Sequence, residues 1–322
     1  MAIFGFGVLV VPAEELIKPK VFTDPAQAGL DFADQGEYVG EIQTQSGPVK
    51  YGAQVIALGD GKFHAVGYPG GLPGEGWDGG EKVHADGHRQ ADRVVFALGE
   101  GRKAELAKGT IVVLEADGQQ IGKLQKVERK SPTLGAKPPA GAVVLFDGTS
   151  ADNFQGGRIT PDGLLIEGAT SKQKFDSCTI HLEFRTPFMP YARGQDRGNS
   201  GVYVQGRYEV QILDSFGLEG LDNECGAIYG VARPKVNMCF PPLSWQTYDI
   251  EFQAAKWHNG QMVQRPRMTV RHNGVVIHEN VELPFATRAA PLPEGPEKGP
   301  LFLQDHGCPV RFRNIWVLPK PE

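Results

Sequence analysis

The stretch Arg197-Gly-Asn-Ser-Gly-Val-Tyr-Val-Gln-Gly-Arg-Tyr-Glu-Val-Gln-Ile-Leu-Asp-Ser215 decides the fold. It reads as two β-strands joined at Gln205-Gly206. In the second strand Arg207, Glu209 and Gln211 occupy alternate positions, and side chains alternate faces along a strand. Those three therefore share one surface, while Tyr208, Val210 and Ile212 share another that is apolar enough to lie on a core. An acid, an amide and a guanidinium exposed together suit a ligand rich in hydroxyls, such as a sugar. An ordinary half-buried strand with a solvent face gives the same pattern.

A second segment adds weight to the first reading. Leu301-Phe-Leu-Gln-Asp-His-Gly307 ends a strand with Gln304, Asp305 and His306 before a glycine turn. Val310-Arg-Phe-Arg-Asn-Ile-Trp-Val317 continues as another alternating strand. Two apolar-backed strands that both carry dense polar chemistry are less readily a coincidence than one.

The rest of the chain extends this β reading. Its 322 residues are enough for two domains, and 42 glycines and 24 prolines favour turn-rich β architecture. A net charge of −5 without a long basic run argues against nucleic acid as a partner. Residues 131–141 are rich in proline and lack periodicity, as a linker does. Ahead of them, residues 37–42, 54–58 and 62–66 read as short strands. Hairpin turns are expected at Leu58-Gly-Asp-Gly-Lys62 and around Asp117-Gly118. Residues 21–130 thus read as a small barrel or compact sheet. The glycine-rich run at 68–80 lacks the Lys-Ser/Thr ending of a phosphate loop, and its Trp77 reads as tucked against the sheet. His84-Ala-Asp-Gly-His88 reads as a solvated loop rather than a metal cluster.

Location and redox state rest on thinner signals. Residues 1–11 are apolar but too short to span a bilayer. With Pro12-Ala13 they look like the end of an export signal that lacks its basic start, within residues 1–20. The expectation is a periplasmic or secreted protein with no transmembrane segment. Among the four cysteines, Cys178, Cys225, Cys239 and Cys308, no two have zinc-ribbon or redox-motif spacing. Cys225 and Cys239 bracket a loop, either as a disulfide in an oxidising compartment or as buried thiols.

The segments Leu145-Phe-Asp-Gly-Thr149, Arg197-Gly-Asn-Ser-Gly201, Tyr208-Glu-Val-Gln-Ile-Leu-Asp214, Gly226-Ala-Ile-Tyr-Gly230, Asn273-Gly274, Leu303-Gln-Asp-His-Gly307 and Phe312-Arg-Asn-Ile315 carry a resemblance. In that order they resemble the 3-keto-disaccharide hydrolase domain, a bacterial family with a concanavalin-like fold. The resemblance covers about residues 141–320. It implies an all-β chain with a two-sheet β-sandwich (jelly roll) over residues 142–320, preceded by the small β-rich domain. It also implies hydrolysis of oxidised, 3-keto glycosides in a cleft on the concave sheet. A separate oxidoreductase would make the ketone, so no redox cofactor is implied. A divalent cation such as calcium stays open, although Asp222-Asn-Glu224 reads as solvated.

Two chemistries can be weighed on these residues. The pattern Glu209-x-Gln211-x-x-Asp214 is similar to the Glu-x-Asp-x-x-Glu strand of laminarinase-type glucanases. Alternation, however, sets positions 209 and 214 on opposite faces, and retaining hydrolysis needs carboxylates about 5–5.5 Å apart. The other route uses the ketone. A carbonyl at sugar C3 acidifies the C2 proton, so one general base can start elimination of the C1 substituent, after which water adds. Glu209 and His306 are the candidate base and acid, in either order, and Arg207 or Arg197 is the candidate stabiliser of the enolate. Tyr203, Gln211, Asp214, Gln304 and Asp305 complete the candidate substrate-binding set, with Asn199 bracing the loop. The alternatives are a lectin-like binding protein that recognises carbohydrate on the polar strand, and an envelope scaffold. Oligomeric state stays open.

Overall fold

The structure is a computed structural model that describes residues 20–321. The apolar segment at residues 1–13, and with it the export reading, lies outside the described residues. No helix among them is long and apolar enough to cross a membrane.

The first half of the chain is an eight-stranded meander. Its strands are β1 (Gly36–Thr44), β2 (Gly47–Gly59), β3 (Lys62–Pro69), β4 (Val83–Gln90), β5 (Arg93–Gly99), β6 (Arg102–Ala107), β7 (Thr110–Leu114) and β8 (Gln120–Val127). Each pairs antiparallel with the next, and β8 returns to β1 to close a barrel. Asp60 and Gly61 join β2 to β3 with positive φ angles of 53° and 67°, the backbone twist that a tight hairpin needs. Alternate residues such as Tyr38, Val55, Phe63, Phe96 and Leu124 fill the interior. Eight strands leave just enough room for side chains there. His84, Asp86 and His88 lie on β4 rather than in a loop, and His64 Nδ1 contacts Asp86 Oδ1 at 2.7 Å.

The second half is a sandwich. Its strands are β9 (Val143–Phe146), β10 (Phe154–Gln155), β11 (Leu165–Ile166), β12 (Ala169–Phe175), β13 (Cys178–Arg185), β14 (Ser200–Val204) and β15 (Tyr208–Ile212). They continue with β16 (Gln246–Gln253), a small hairpin of β17 (Lys256–His258) and β18 (Gln261–Gln264), β19 (Arg267–His272) and β20 (Val275–Glu282). The chain finishes with β21 (Gly299–Leu303) and β22 (Arg311–Pro319). One sheet runs β10-β12-β21-β14-β15. The other runs β11-β22-β13-β16-β19-β20, with β9 paired to β22.

The two sheets enclose one apolar core. Tyr208, Val210 and Ile212 of β15 point into it, as do Ile180, Leu182 and Phe184 of β13 and Ile250 and Phe252 of β16. The chain is thus all-β, a two-sheet sandwich preceded by a β-barrel. Cys225 and Cys239 sit in this core as free thiols, so the bridge between them is not formed. The Cys239 thiol instead lies within donating distance of the Leu213 and Phe240 carbonyls, and the Cys225 thiol contacts the Tyr248 hydroxyl.

The proline-rich connection is tied down along the outside of the sandwich. Ser131 Oγ lies 2.6 Å from Thr247 Oγ1, and the Thr133 hydroxyl donates to Asp249 Oδ2 at 2.7 Å. The Gly135 amide donates to Glu183 Oε1 at 2.6 Å, and the Ala136 carbonyl accepts from Trp316 Nε1 at 3.2 Å. Beneath this strap, the outward-facing residues of β13, β16 and β22 form a buried charged network. His181 Nδ1 contacts Asp249 Oδ1 and Arg313 Nε donates to Glu183 Oε2, both at 2.6 Å. Phe188 and Leu243 of the sandwich join the barrel core and complete the junction.

Candidate active site

On the outer face of the five-stranded sheet, β14 and β15 pair so that Tyr203 stands opposite Glu209 and Gly201 opposite Gln211. The Tyr203 hydroxyl donates to Glu209 Oε2 at 2.8 Å. The same hydroxyl lies 3.0 Å from the Arg288 carbonyl and accepts from Gln304 Nε2 at 3.3 Å. The carboxylate of Glu209 folds back across Gly201, where a β-carbon would overlap Oε1. A residue without a side chain is what leaves room for it.

The polar stripe is covered rather than open. Strand β15 is the sheet edge, and an unpaired edge must be shielded. Along this free edge, towards the end of the strand, the Tyr229 amide donates to the Glu209 carbonyl and the Gln211 amide to the Ala227 carbonyl. Along the same edge, towards its start, the Glu209 amide donates to Thr287 Oγ1 and the Thr287 amide to the Arg207 carbonyl. These two flanking segments deliver Tyr229 and Arg288 to the rim. Glu209 is left 2 % exposed. Burial pushes its carboxyl up to about 7, against the lowering effect of the Tyr203 hydrogen bond. The Tyr203 hydroxyl is raised in turn, first by burial and then by the charge of Glu209.

Three amides brace the floor. Gln195 Nε2 donates to the Asn223 carbonyl at 2.9 Å, and Gln195 Oε1 accepts from Gln211 Nε2 at 3.0 Å and Asn199 Nδ2 at 3.2 Å. Asn199 Nδ2 also donates to the Gln195 carbonyl at 2.8 Å. A backbone carbonyl can only accept, so these ends fix which way each amide points.

The resulting cleft has a volume of about 290 Å³ and is lined by Gln195, Asn199, Tyr203, Glu209, Gln211, Tyr229, Arg288, Ala289, Gln304 and His306. Larger hollows of about 600 and 810 Å³ lie between barrel and sandwich, but neither reaches Glu209. Among the described residues no group of three or more His, Cys, Asp or Glu converges as a metal site.

Residues 141–318, more than half of the chain, match the 3-keto-alpha-glucoside-1,2-lyase-like domain family. The chain belongs to this family. No curated protein matches it. A crystal structure from Parabacteroides distasonis ATCC 8503, described as a "putative glycosyl hydrolase", is 31% identical with a TM-score of 0.52; the match covers 56% of this chain and 85% of that one. Two further crystal structures from that organism, with the same description, are 18% and 24% identical with TM-scores of 0.42 and 0.40. They cover 56% of this chain and 94% and 99% of their own.

In this member of the lyase-like family the cleft gathers five of the nine residues expected from sequence: Glu209, His306, Tyr203, Gln211 and Gln304. The other four are placed elsewhere. Arg207 turns away to donate to the Pro293 and Glu297 carbonyls at 2.7 and 3.0 Å, because the segment after Arg288 folds over it. Arg197 and Asp214 form a buried ion pair at 2.7 Å, so neither faces the cleft. Asp305 caps its own turn through the Gly307 amide and lies 3.9 Å from Arg158. Sequence reasoning missed Gln195, Tyr229 and Arg288 as cleft residues. Tyr229 lies inside the Gly226-to-Gly230 motif and could have been singled out as its only aromatic. Arg288 sits in an irregular segment with no periodicity to reveal it.

Proposed function

We propose that the sandwich cleaves 3-keto-glycosides by elimination and hydration, with Glu209 as the base. The observation that carries this reading is that Glu209 is the only carboxylate among the described residues lining the cleft. Double displacement needs two. A single base whose carboxyl is pushed up to about 7 is matched to proton abstraction near neutral pH.

In this reaction Glu209 takes the C2 proton and the electron pair moves into the C3 carbonyl. Arg288, the one guanidinium on the rim, stabilises the enolate oxygen. The enolate expels the C1 substituent, whose oxygen collects a proton from His306 or from protonated Glu209. Water then adds across C1 and C2 of the unsaturated ketone, its hydroxyl to C1 and its proton to C2. The net change is hydrolysis. Tyr203, Gln211 and Gln304 orient Glu209 and the sugar hydroxyls.

The test is to incubate the protein with a 3-keto-glucoside and with its unoxidised parent and to follow aglycone release. Cleavage of the keto sugar alone, abolished by Glu209→Gln, is the expected result. Binding without cleavage of either would make the cleft a lectin site instead.

A further inference from the structure

The Tyr203 hydroxyl has one proton to give and two acceptors within reach. Glu209 Oε2 lies at 2.8 Å and the Arg288 carbonyl at 3.0 Å. Gln304 Nε2 already donates to the hydroxyl oxygen, which leaves one further lone pair. A carboxylate is the stronger acceptor, since charge-assisted hydrogen bonds are roughly twice as strong as neutral ones. A neutral carboxyl loses that advantage, and it brings a proton that the remaining lone pair of Tyr203 can accept.

We propose that Tyr203 is a positioning residue that couples the charge of Glu209 to the turn carrying Arg288. With Glu209 ionised, the hydroxyl proton points to Oε2 and the Arg288 carbonyl has no donor from Tyr203. With Glu209 protonated, the hydroxyl rotates and donates to that carbonyl. The inference rests on the reading of Glu209 as the base. No proton is relayed through Tyr203. One proton moves from substrate C2 to Glu209, the hydroxyl only rotates, and it rotates back when Glu209 gives the proton up. The Arg288 turn is therefore held during the interval in which an enolate exists, and that is when its guanidinium is needed. In the ionised state the same turn is released for entry and exit.

The other titratable or charged groups on the cleft are Tyr229, Arg288 and His306. Just ahead of β15, Arg207 is the neighbouring charge on this face, and loop carbonyls hold its guanidinium. His306 is the competing source of any pH effect and needs its own control.

The experiment is amide hydrogen exchange on the full chain at pH 5.5 and 8.5, corrected for the intrinsic pH dependence. Thr287 and Ala290 are the reporters, because the Ala290 amide donates within this turn and the Thr287 amide donates to Arg207, next to β15. Protection at least threefold greater at the lower pH is expected for the wild-type chain and for His306→Asn. Glu209→Gln should show the higher protection at both pH values, and Tyr203→Phe the lower protection at both. Equal protection of the wild-type chain at both pH values, or a pH dependence retained by Tyr203→Phe, would overturn the coupling. Should Tyr203→Phe not fold, an equal pH dependence in the wild-type chain and Glu209→Gln would overturn it as well. Exchange measures no catalysis. A pH-dependent turn in a protein that leaves 3-keto-glucosides intact would keep the coupling and remove its use. Turnover without a pH-dependent turn would leave the function and remove the coupling.

Discussion

The carboxylate of Glu209 occupies the space that a side chain on Gly201 would fill. Gly201 pairs across the sheet with Gln211, and its neighbour Tyr203 pairs with Glu209. The position of the base is therefore set by the absence of an atom on the adjacent strand as much as by the hydrogen bond to Tyr203. Gly201→Ala should push Glu209 out of its seat. A displacement of about 1 Å at a reacting group costs roughly 10²-fold in rate, so kcat/KM on a 3-keto-glucoside should fall by about that factor. A melting temperature that drops in proportion would show general damage instead.

Glu209 should trade stability for reactivity. Its folded carboxyl is raised from 4.5 to about 7, so between those values the folded state holds more protons than the unfolded one. Stability must then fall as the pH rises through that window. Glu209→Gln removes the effect and should be the more stable protein at pH 8, by up to on the order of 3 kcal/mol, while losing activity. Chemical denaturation of both proteins at pH 4.5 and pH 8 would check this. Activity of the wild-type chain should rise with pH through about 7, the region where the base ionises.

The two arginines that exchange roles between sequence and structure offer a direct comparison. Arg288→Ala should lower kcat by roughly 10²–10³-fold with little change in melting temperature, as expected for an exposed group acting on developing charge. Arg207→Ala leaves the Pro293 and Glu297 carbonyls without their donor. It should cost about 1–3 kcal/mol of stability, with kcat per folded molecule far less affected. The reverse result would restore Arg207 to the catalytic role suggested by its place on the strand.

The network under the strap predicts a second, separate pH dependence. Burial alone would raise Glu183, but the His181 imidazole 3.7 Å away and hydrogen bonds from Asn314, the Gly135 amide and Arg313 outweigh it and bring the carboxyl down to about 2. Its contribution is present above 4.5 and is lost as the pH falls towards 2. Burial would likewise lower His181, yet Asp249 and Glu183 raise it. The His181 contribution is complete below 6.5 and is lost as the pH rises through the folded value. Glu183→Gln should destabilise the chain by about 3 kcal/mol at neutral pH. That difference should shrink below pH 4.5, which thermal melts across the acid range would show.

The strand Tyr208–Ile212 was legible because alternation on a half-buried strand is a local property. Tyr208, Val210 and Ile212 enter the core, and Arg207, Glu209 and Gln211 share the other face. What alternation does not reveal is what lies above that face. Arg207 and Glu209 occupy equivalent positions, yet one faces loop carbonyls and the other a cleft, because residues 287–297 cross above one and rim the other. Arg197 and Asp214 were misread for a related reason. Opposite charges 17 residues apart give no sign in sequence that they will meet and neutralise each other. The hairpin at Asp60-Gly61 and the closing strands of the barrel carry their own turn chemistry and could be read directly. The strap is long-range chemistry on a segment whose composition argues for a linker, and composition says nothing of partners more than 100 residues away.

That strap separates two boundaries that usually coincide. The region shared with the family starts at residue 141. Two of the donors to Asp249 and Glu183, the Thr133 hydroxyl and the Gly135 amide, lie upstream of it. A polypeptide trimmed to the shared region would contain every cleft residue, yet would bare two carboxylates and an imidazole to solvent on its opposite face. The matched region is therefore shorter than the stretch of chain whose hydrogen bonds complete this face of the sandwich. In this chain the residues between the barrel and the sandwich belong, energetically, to the sandwich.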